Sequence, residues 1–330
     1  MGIKISGLSL VTGKEVVGNE KYVEHFKRMG QDVKHFMKDV LHLDKRFILS
    51  ENETGLDLMK EAADKVLKET GISAKDIDLL ICCSSVPEYF TPTQALSVHR
   101  HIHGKFECIS FDMNANCTSL LMAINNVKLM MANYEIKKAL LVGCDIGNLF
   151  VDYNNAAMYG HFGDCATALI IENDIESISE IIATNTTSIT TIPSETCTPI
   201  NGVKSLCNST ITPSKDILVN WNPLGAKESS AIAMDELEKL LYENNISSED
   251  VALFCTSQAG YNLNCALREK FNLTEEKCPY YADKYGYTGC SSPFTVLYEA
   301  IKAGKVKHGD LIVLWTYGIG YSQSGIILRY

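Results

Sequence analysis

Apolar residues along this chain gather into short continuous runs separated by longer stripes at helical spacing. Leu79 to Cys82, Ala139 to Gly143, Ala166 to Ile171, Val251 to Cys255, Leu311 to Trp315 and Gly325 to Leu328 are nearly unbroken apolar runs. Runs of that length predict strands covered on both faces. Leu58 to Thr70 and Met234 to Asn244 read as amphipathic helices, and Ile3, Ile5 and Leu8 as an opening strand. Leu120, Ile124, Val127 and Met131 fall at helical spacing with Leu121, Ala123 and Met130 between them, which predicts a helix buried all round.

The pattern repeats. Ile72 to Cys82 and Ile246 to Cys255 are each a polar turn leading into a buried strand, and each follows an amphipathic helix. Downstream, Cys117-Thr118-Ser119 opens a helix that ends before Ala139 to Gly143, and Cys290-Ser291-Ser292 opens one that ends before Leu311 to Trp315. Shared order across four elements predicts a duplicated α/β unit, βαβαβαββ in each half, over residues 1–172 and 173–330. Two sheets around shared central helices make five layers, α-β-α-β-α. The stretch from Asn173 to about Lys227, rich in Thr, Ser and Pro, is expected to be an irregular crossing between halves.

Cys117 stands where Asp112-Met113-Asn114-Ala115-Asn116 gives way to the first buried helix. A helix N-terminus offers its positive dipole end and free N–H groups, which favour a thiolate and hence an acylatable nucleophile. Spacing alone leaves a second reading open, a packing cysteine among the chain's 12. The net charge of −10 argues against nucleic-acid or anionic-membrane partners. Cys82, Cys83 and Cys255 lie in apolar runs with no signal peptide ahead of them, so a reducing cytoplasm is expected. No Cys/His spacing suggests a metal site, and no apolar stretch reaches membrane-spanning length. Met1-Gly2 with Ser6 matches a myristoylation pattern, but reads more simply as the opening strand.

This plan resembles the thiolase fold and, within it, the ketoacyl-ACP synthase III branch. The resemblance rests on Asp112 to Leu120, Phe162-Gly163-Asp164, Ser257-Gln258-Ala259, Lys284 to Gly289, and Gly309-Asp310-Leu311 continuing to Tyr317-Gly318-Ile319-Gly320. It implies that Cys117 accepts an acyl group from an acyl carrier protein (ACP) or coenzyme A thioester, with no bound cofactor, in a homodimer. It also implies an oxyanion hole from the backbone N–H groups of Cys117 and Ile319, with Phe162, Gly318 and Gly320 beside the substrate. Cys290, in the second repeat, is then a packing relic.

The family's decarboxylative step uses a histidine and an asparagine, whose positions here hold Ser257 and Tyr287. A serine is no base near neutral pH, and loss of one oxyanion donor costs about 3 kcal/mol. Condensation is therefore expected to be poor while acylation survives. His161, at a channel position that is usually aliphatic, is the candidate replacement base, the alternative being a structural histidine. Ser257 and Tyr287 would then position the acceptor. Phe36 and Ala156 stand where relatives clamp adenine, which favours a carrier protein as donor; Arg268 and Lys270 are the candidate docking cations, or else solvated charges. Thr91, where relatives close the partner's acyl tunnel, leaves room for a longer or more polar chain. The expected activity is acyl transfer without obligatory decarboxylation, in specialised-metabolite or fatty-acid-related biosynthesis. The alternatives are a decarboxylating synthase using Ser257 and Tyr287, or a non-catalytic partner subunit.

Overall fold

Alternation along each strand sorts side chains to opposite faces of a sheet, and that sorting builds the layers. The computed structural model describes residues 2–206, 219 and 222–330. The chain runs β1 (Ile3–Thr12), β2 (Glu15–Gly18), α1 (Asn19–Arg28), β3 (Lys45–Ile48), α2 (Gly55–Thr70), β4 (Leu79–Cys83) and α3 (Gln94–His101). There follow β5 (Ile109–Met113), α4 (Ser119–Asn133), β6 (Lys138–Asp145), β7 (Cys165–Asn173), β8 (Glu180–Ser188) and the single turn α5 (Val203–Leu206). The remainder is α6 (Ala226–Glu243), β9 (Val251–Thr256), α7 (Tyr261–Phe271), α8 (Ala282–Tyr285), α9 (Ser292–Lys302), β10 (Leu311–Gly318) and β11 (Ser322–Arg329).

One sheet has the order β1-β7-β6-β4-β5 and the other β8-β11-β10-β9, while β2 and β3 form a separate ribbon. The shared part of that order repeats with its directions: β4 and β9 pair in parallel with β6 and β10, and the remaining partners are antiparallel. The position beside β9 that would answer to β5 carries no strand among the described residues; there the Phe254 N–H donates to the Lys277 carbonyl at 2.7 Å. β8 lies inside the stretch expected to be irregular. Its Thr-rich sequence pairs with β11 over its whole length, so β-branched residues at a sheet edge override the turn-like composition. Residues 207–218 and 220–221 of the expected crossing lie outside the described residues.

In β4, Leu79, Ile81 and Cys83 face a central cluster with α4 and α9, while Leu80 and Cys82 face α2 and α3. In β10, Ile312 and Leu314 face the same central cluster, while Val313 and Trp315 face α6 and α7. Five layers result, α-β-α-β-α, as in the thiolase fold. The expectation that the first central helix is buried all round holds only for its first turns; Leu129 is 58% exposed, because α4 is longer than the sheets that cover it. The eleven described cysteines are all free.

The loops that carry the site cross at very close range. The backbone of Phe162 bridges that of Tyr287, and a Cβ on Gly163 would lie 1.7 Å from the Tyr285 carbonyl oxygen. Gly163→Ala must push the two loops apart, so chemical denaturation should show a loss of about 3 kcal/mol. An unchanged midpoint would mean that the crossing does not hold the loops together.

Candidate active site

Cys117 lies in a single 3-10 turn, Asn116–Thr118, immediately before α4. The turn is tied locally: Ser119 Oγ donates to the Asn116 carbonyl at 2.6 Å, and Thr118 Oγ1 to the Ala115 carbonyl at 2.6 Å. Asn116 takes a left-handed conformation, φ 52°, which asparagine tolerates better than most residues. Across the second sheet, Thr316 Oγ1 donates to the Cys117 carbonyl at 3.2 Å, and Gly318 packs on Cys117 with no room to spare beyond van der Waals contact for a Cβ. The chain turns back there, with Gly320 at φ 79° and Tyr321 donating its N–H to the Gly318 carbonyl.

The Cys117 sulfur faces its own backbone N–H, the Ile319 N–H and the Tyr287 phenol. Both N–H groups and the phenol favour negative charge on the sulfur. The thiol is nevertheless pushed up to about 11, first by burial and then by the charge of Asp145, against the three donors. The expected stabilised thiolate is therefore corrected. The cysteine is only 7% exposed, and desolvation of an anion outweighs the local donors.

Tyr287 and Ser257 come together beside Cys117. The Tyr287 hydroxyl faces both the sulfur and the Ser257 hydroxyl, yet neither contact closes into a formed hydrogen bond, and both oxygens are buried without a partner. Burial holds the phenol far above its ordinary range. His161 stacks obliquely against Tyr287, ring centroids 5.9 Å apart. Its Nε2 sits 3.1 Å from the Ala259 carbonyl, which can only accept, so Nε2 carries the proton and the buried, unpartnered Nδ1 is a free lone pair. Burial, assisted by the Arg46 cation, draws this histidine down to about 4, so the ring is neutral at physiological pH.

Other expected site residues stand apart. Phe162 is half-buried beside Tyr287, centroids 5.7 Å apart. Phe36 opens a π-helical turn and Ala156 packs on the cluster of Tyr22, Phe26 and Met37; Thr91 is exposed in the loop before α3. The candidate docking cations already have acid partners: Arg268 bonds the Cys278 carbonyl and Glu275, and Lys270 pairs with Asp235 and Glu238 of α6. Asp145, Asn116 and Thr316 belong to the site and were not singled out from sequence, since each acts through backbone groups that only the fold brings near. Among the described residues, no group of three or more His, Cys, Asp or Glu is placed to hold a metal.

A duplicated five-layered fold with a buried cysteine opening its first central helix, flanked by converging N–H groups, defines a thiolase-fold protein of the condensing-enzyme class. The chain belongs to the 3-oxoacyl-[acyl-carrier-protein] synthase III family: the family's synthase III region matches residues 111–189 and its C-terminal region residues 241–330. It is 28% identical over 289 residues to the beta-ketoacyl-[acyl-carrier-protein] synthase III of Campylobacter jejuni subsp. jejuni serotype O:6, across 87% of this chain and 86% of that one. The crystal structure of 3-oxoacyl-[acyl-carrier-protein] synthase III from Aquifex aeolicus VF5 superposes over the whole of both chains with a TM-score of 0.86 and 25% identity. OleA of Xanthomonas campestris shares the fold, with a TM-score of 0.84 and 21% identity, over 100% of this chain and 98% of that one.

With the thiol raised to about 11, the reactive thiolate fraction climbs about tenfold per pH unit below that value. Alkylation of Cys117 by iodoacetamide, followed by peptide mass spectrometry, should rise steadily with pH, and Asp145→Asn should move the curve to lower pH. A plateau reached below about pH 8 would show a preformed thiolate instead.

Proposed function

We propose that this protein is an acyltransferase that carries an acyl group on Cys117, takes it from an acyl thioester, and delivers it to an acceptor nucleophile without obligatory decarboxylation. The observation that carries this reading is the set of buried, unpartnered polar atoms around the thiol: Ser257 Oγ, Tyr287 OH and His161 Nδ1. Each orphaned group costs about 1–3 kcal/mol, which a bound substrate would recover by bonding it. In the first step the N–H groups of Cys117 and Ile319 hold the oxyanion. In the second, an acceptor X–H attacks the acyl carbon and passes its proton to His161 Nδ1. The bond to Cys117 sulfur then breaks, and the sulfur takes that proton back. A neutral imidazole anchored at Nε2 suits this role.

A carrier protein is the favoured donor, because neither Phe36 nor Ala156 supplies the cation of an adenine clamp. The open edge at β5, with Phe106 and Ile109 exposed, supports a homodimer across that edge. Free cysteines support a reducing, cytoplasmic setting. One observation favours a second reading, a decarboxylating synthase: Ser257 and Tyr287 are two free hydroxyl donors, the number that enolate formation needs.

Intact-protein mass spectrometry after incubation with acyl- and malonyl-carrier proteins should show an acyl adduct that Cys117→Ala abolishes, with no condensed product. His161→Ala should acylate but transfer at least about a hundredfold more slowly. Condensed product from the parent would establish the second reading, and absence of any adduct would point to a non-catalytic partner subunit. In the double variant Ser257→His/Tyr287→Asn, malonyl-dependent condensation should increase by about a hundredfold over the parent, read as product per hour; no gain would mean that the two positions do not set the reaction type.

A further inference from the structure

We propose that Tyr287 is the proton shuttle of the acylation step, its phenol taking the Cys117 proton while giving its own to the departing sulfur of the thioester. This rests on the reading of Cys117 as the acyl acceptor. Among the described residues, the phenol is the one side-chain group facing the sulfur that both accepts and donates; the N–H groups of Cys117 and Ile319 only donate. It is buried, unpartnered and free to turn its proton either way. Its backbone is held on both sides: the Tyr287 N–H donates to the His161 carbonyl at 3.0 Å, and the Tyr287 carbonyl accepts from the Gly163 N–H at 2.9 Å. Phe162 and His161 flank the ring, and Gly286, at φ 73°, turns the chain into this position.

The surroundings disfavour any charged route. A free thiolate would sit desolvated beside Asp145, and a phenolate would fare no better in the same cavity. A concerted exchange forms neither. The Cys117 sulfur bonds the acyl carbon and loses its proton to the phenol oxygen. The thioester C–S bond breaks as the phenol proton moves to the departing sulfur. The products are acyl-Cys117, a free thiol and an unchanged Tyr287, with no net proton released.

The experiment is single-turnover acylation by octanoyl-N-acetylcysteamine, followed by intact-protein mass spectrometry from about pH 6 to about pH 9, for the parent and Tyr287→Phe. Iodoacetamide alkylation, which has no departing sulfur to protonate, reports on the thiolate and its accessibility in both proteins. The parent acylation rate should be nearly flat with pH. In Tyr287→Phe acylation at neutral pH should fall about a hundredfold and then rise about tenfold per pH unit as the thiolate route takes over, while alkylation falls far less. Equal rates and profiles in the two proteins would overturn the shuttle alone, as would a parent rate that itself climbs tenfold per unit. Loss of alkylation together with acylation in Tyr287→Phe would also overturn it, reducing Tyr287 to a packing role. A parent that forms no adduct on Cys117 would overturn the acyltransferase reading and the shuttle with it.

Discussion

The site depends on one buried carboxylate at the junction of the two central helices. Asp145, at the end of β6, accepts the Ser85 N–H at 2.7 Å and the Cys290 N–H at 2.8 Å, so it ties the loop after β4 to the turn that opens α9. Gly289 must be a glycine there: it has φ 55°, and a Cβ would lie 2.1 Å from Asp145 Oδ2. Gly143, two residues earlier in β6, leaves space in which Leu120 of α4 and Cys290 approach each other. The same carboxylate that closes this junction sets the field felt by Cys117. Stability and chemistry are thus coupled through a single group, because a fixed negative charge in a low-dielectric interior acts on every neighbour within reach.

Burial, more than that field, sets the character of the rest of the site. Cys117 and Tyr287 are held protonated and His161 is held neutral, all three chiefly by burial. A site of this kind presents neutral donors and acceptors rather than charges. Where the resemblance implies a histidine and an asparagine, this chain has Ser257 and Tyr287, whose hydroxyls donate and accept but do not ionise at neutral pH. An unpartnered basic atom lies in the turn before β7, at His161 Nδ1. Its ring is oriented by the Ala259 carbonyl, two residues beyond Ser257, so the Ser257 loop fixes the histidine.

Most of the layer structure was legible in the sequence. The apolar runs at Leu79, Ala139, Ala166, Val251, Leu311 and Gly325 all form strands, because burial on both faces leaves a continuous hydrophobic signal. β8 escaped, since its outer position in the sheet lets Thr and Asn occupy a strand. The motif around Cys117 and the glycine turn at Gly318 to Gly320 meet in space as the resemblance implied. Arg268 and Lys270 looked like a free basic patch along α7, but Glu275, Asp235 and Glu238 come from segments whose approach the local pattern does not encode.

The sequence by itself determined the duplicated order of helices and strands, the placement of a cysteine at the start of a buried helix, and the hydroxyl side chains at positions 257 and 287. These are properties of local periodicity and of residue identity. Only the tertiary structure decided the protonation states, the tautomer of His161 and the commitment of surface cations to internal pairs. Those depend on desolvation and on distances between residues far apart in the chain, such as Asp145 and Cys290 or His161 and Ala259. Burial reversed the effect expected of the helix end on Cys117 because the cost of desolvating an anion exceeds what a few backbone dipoles return.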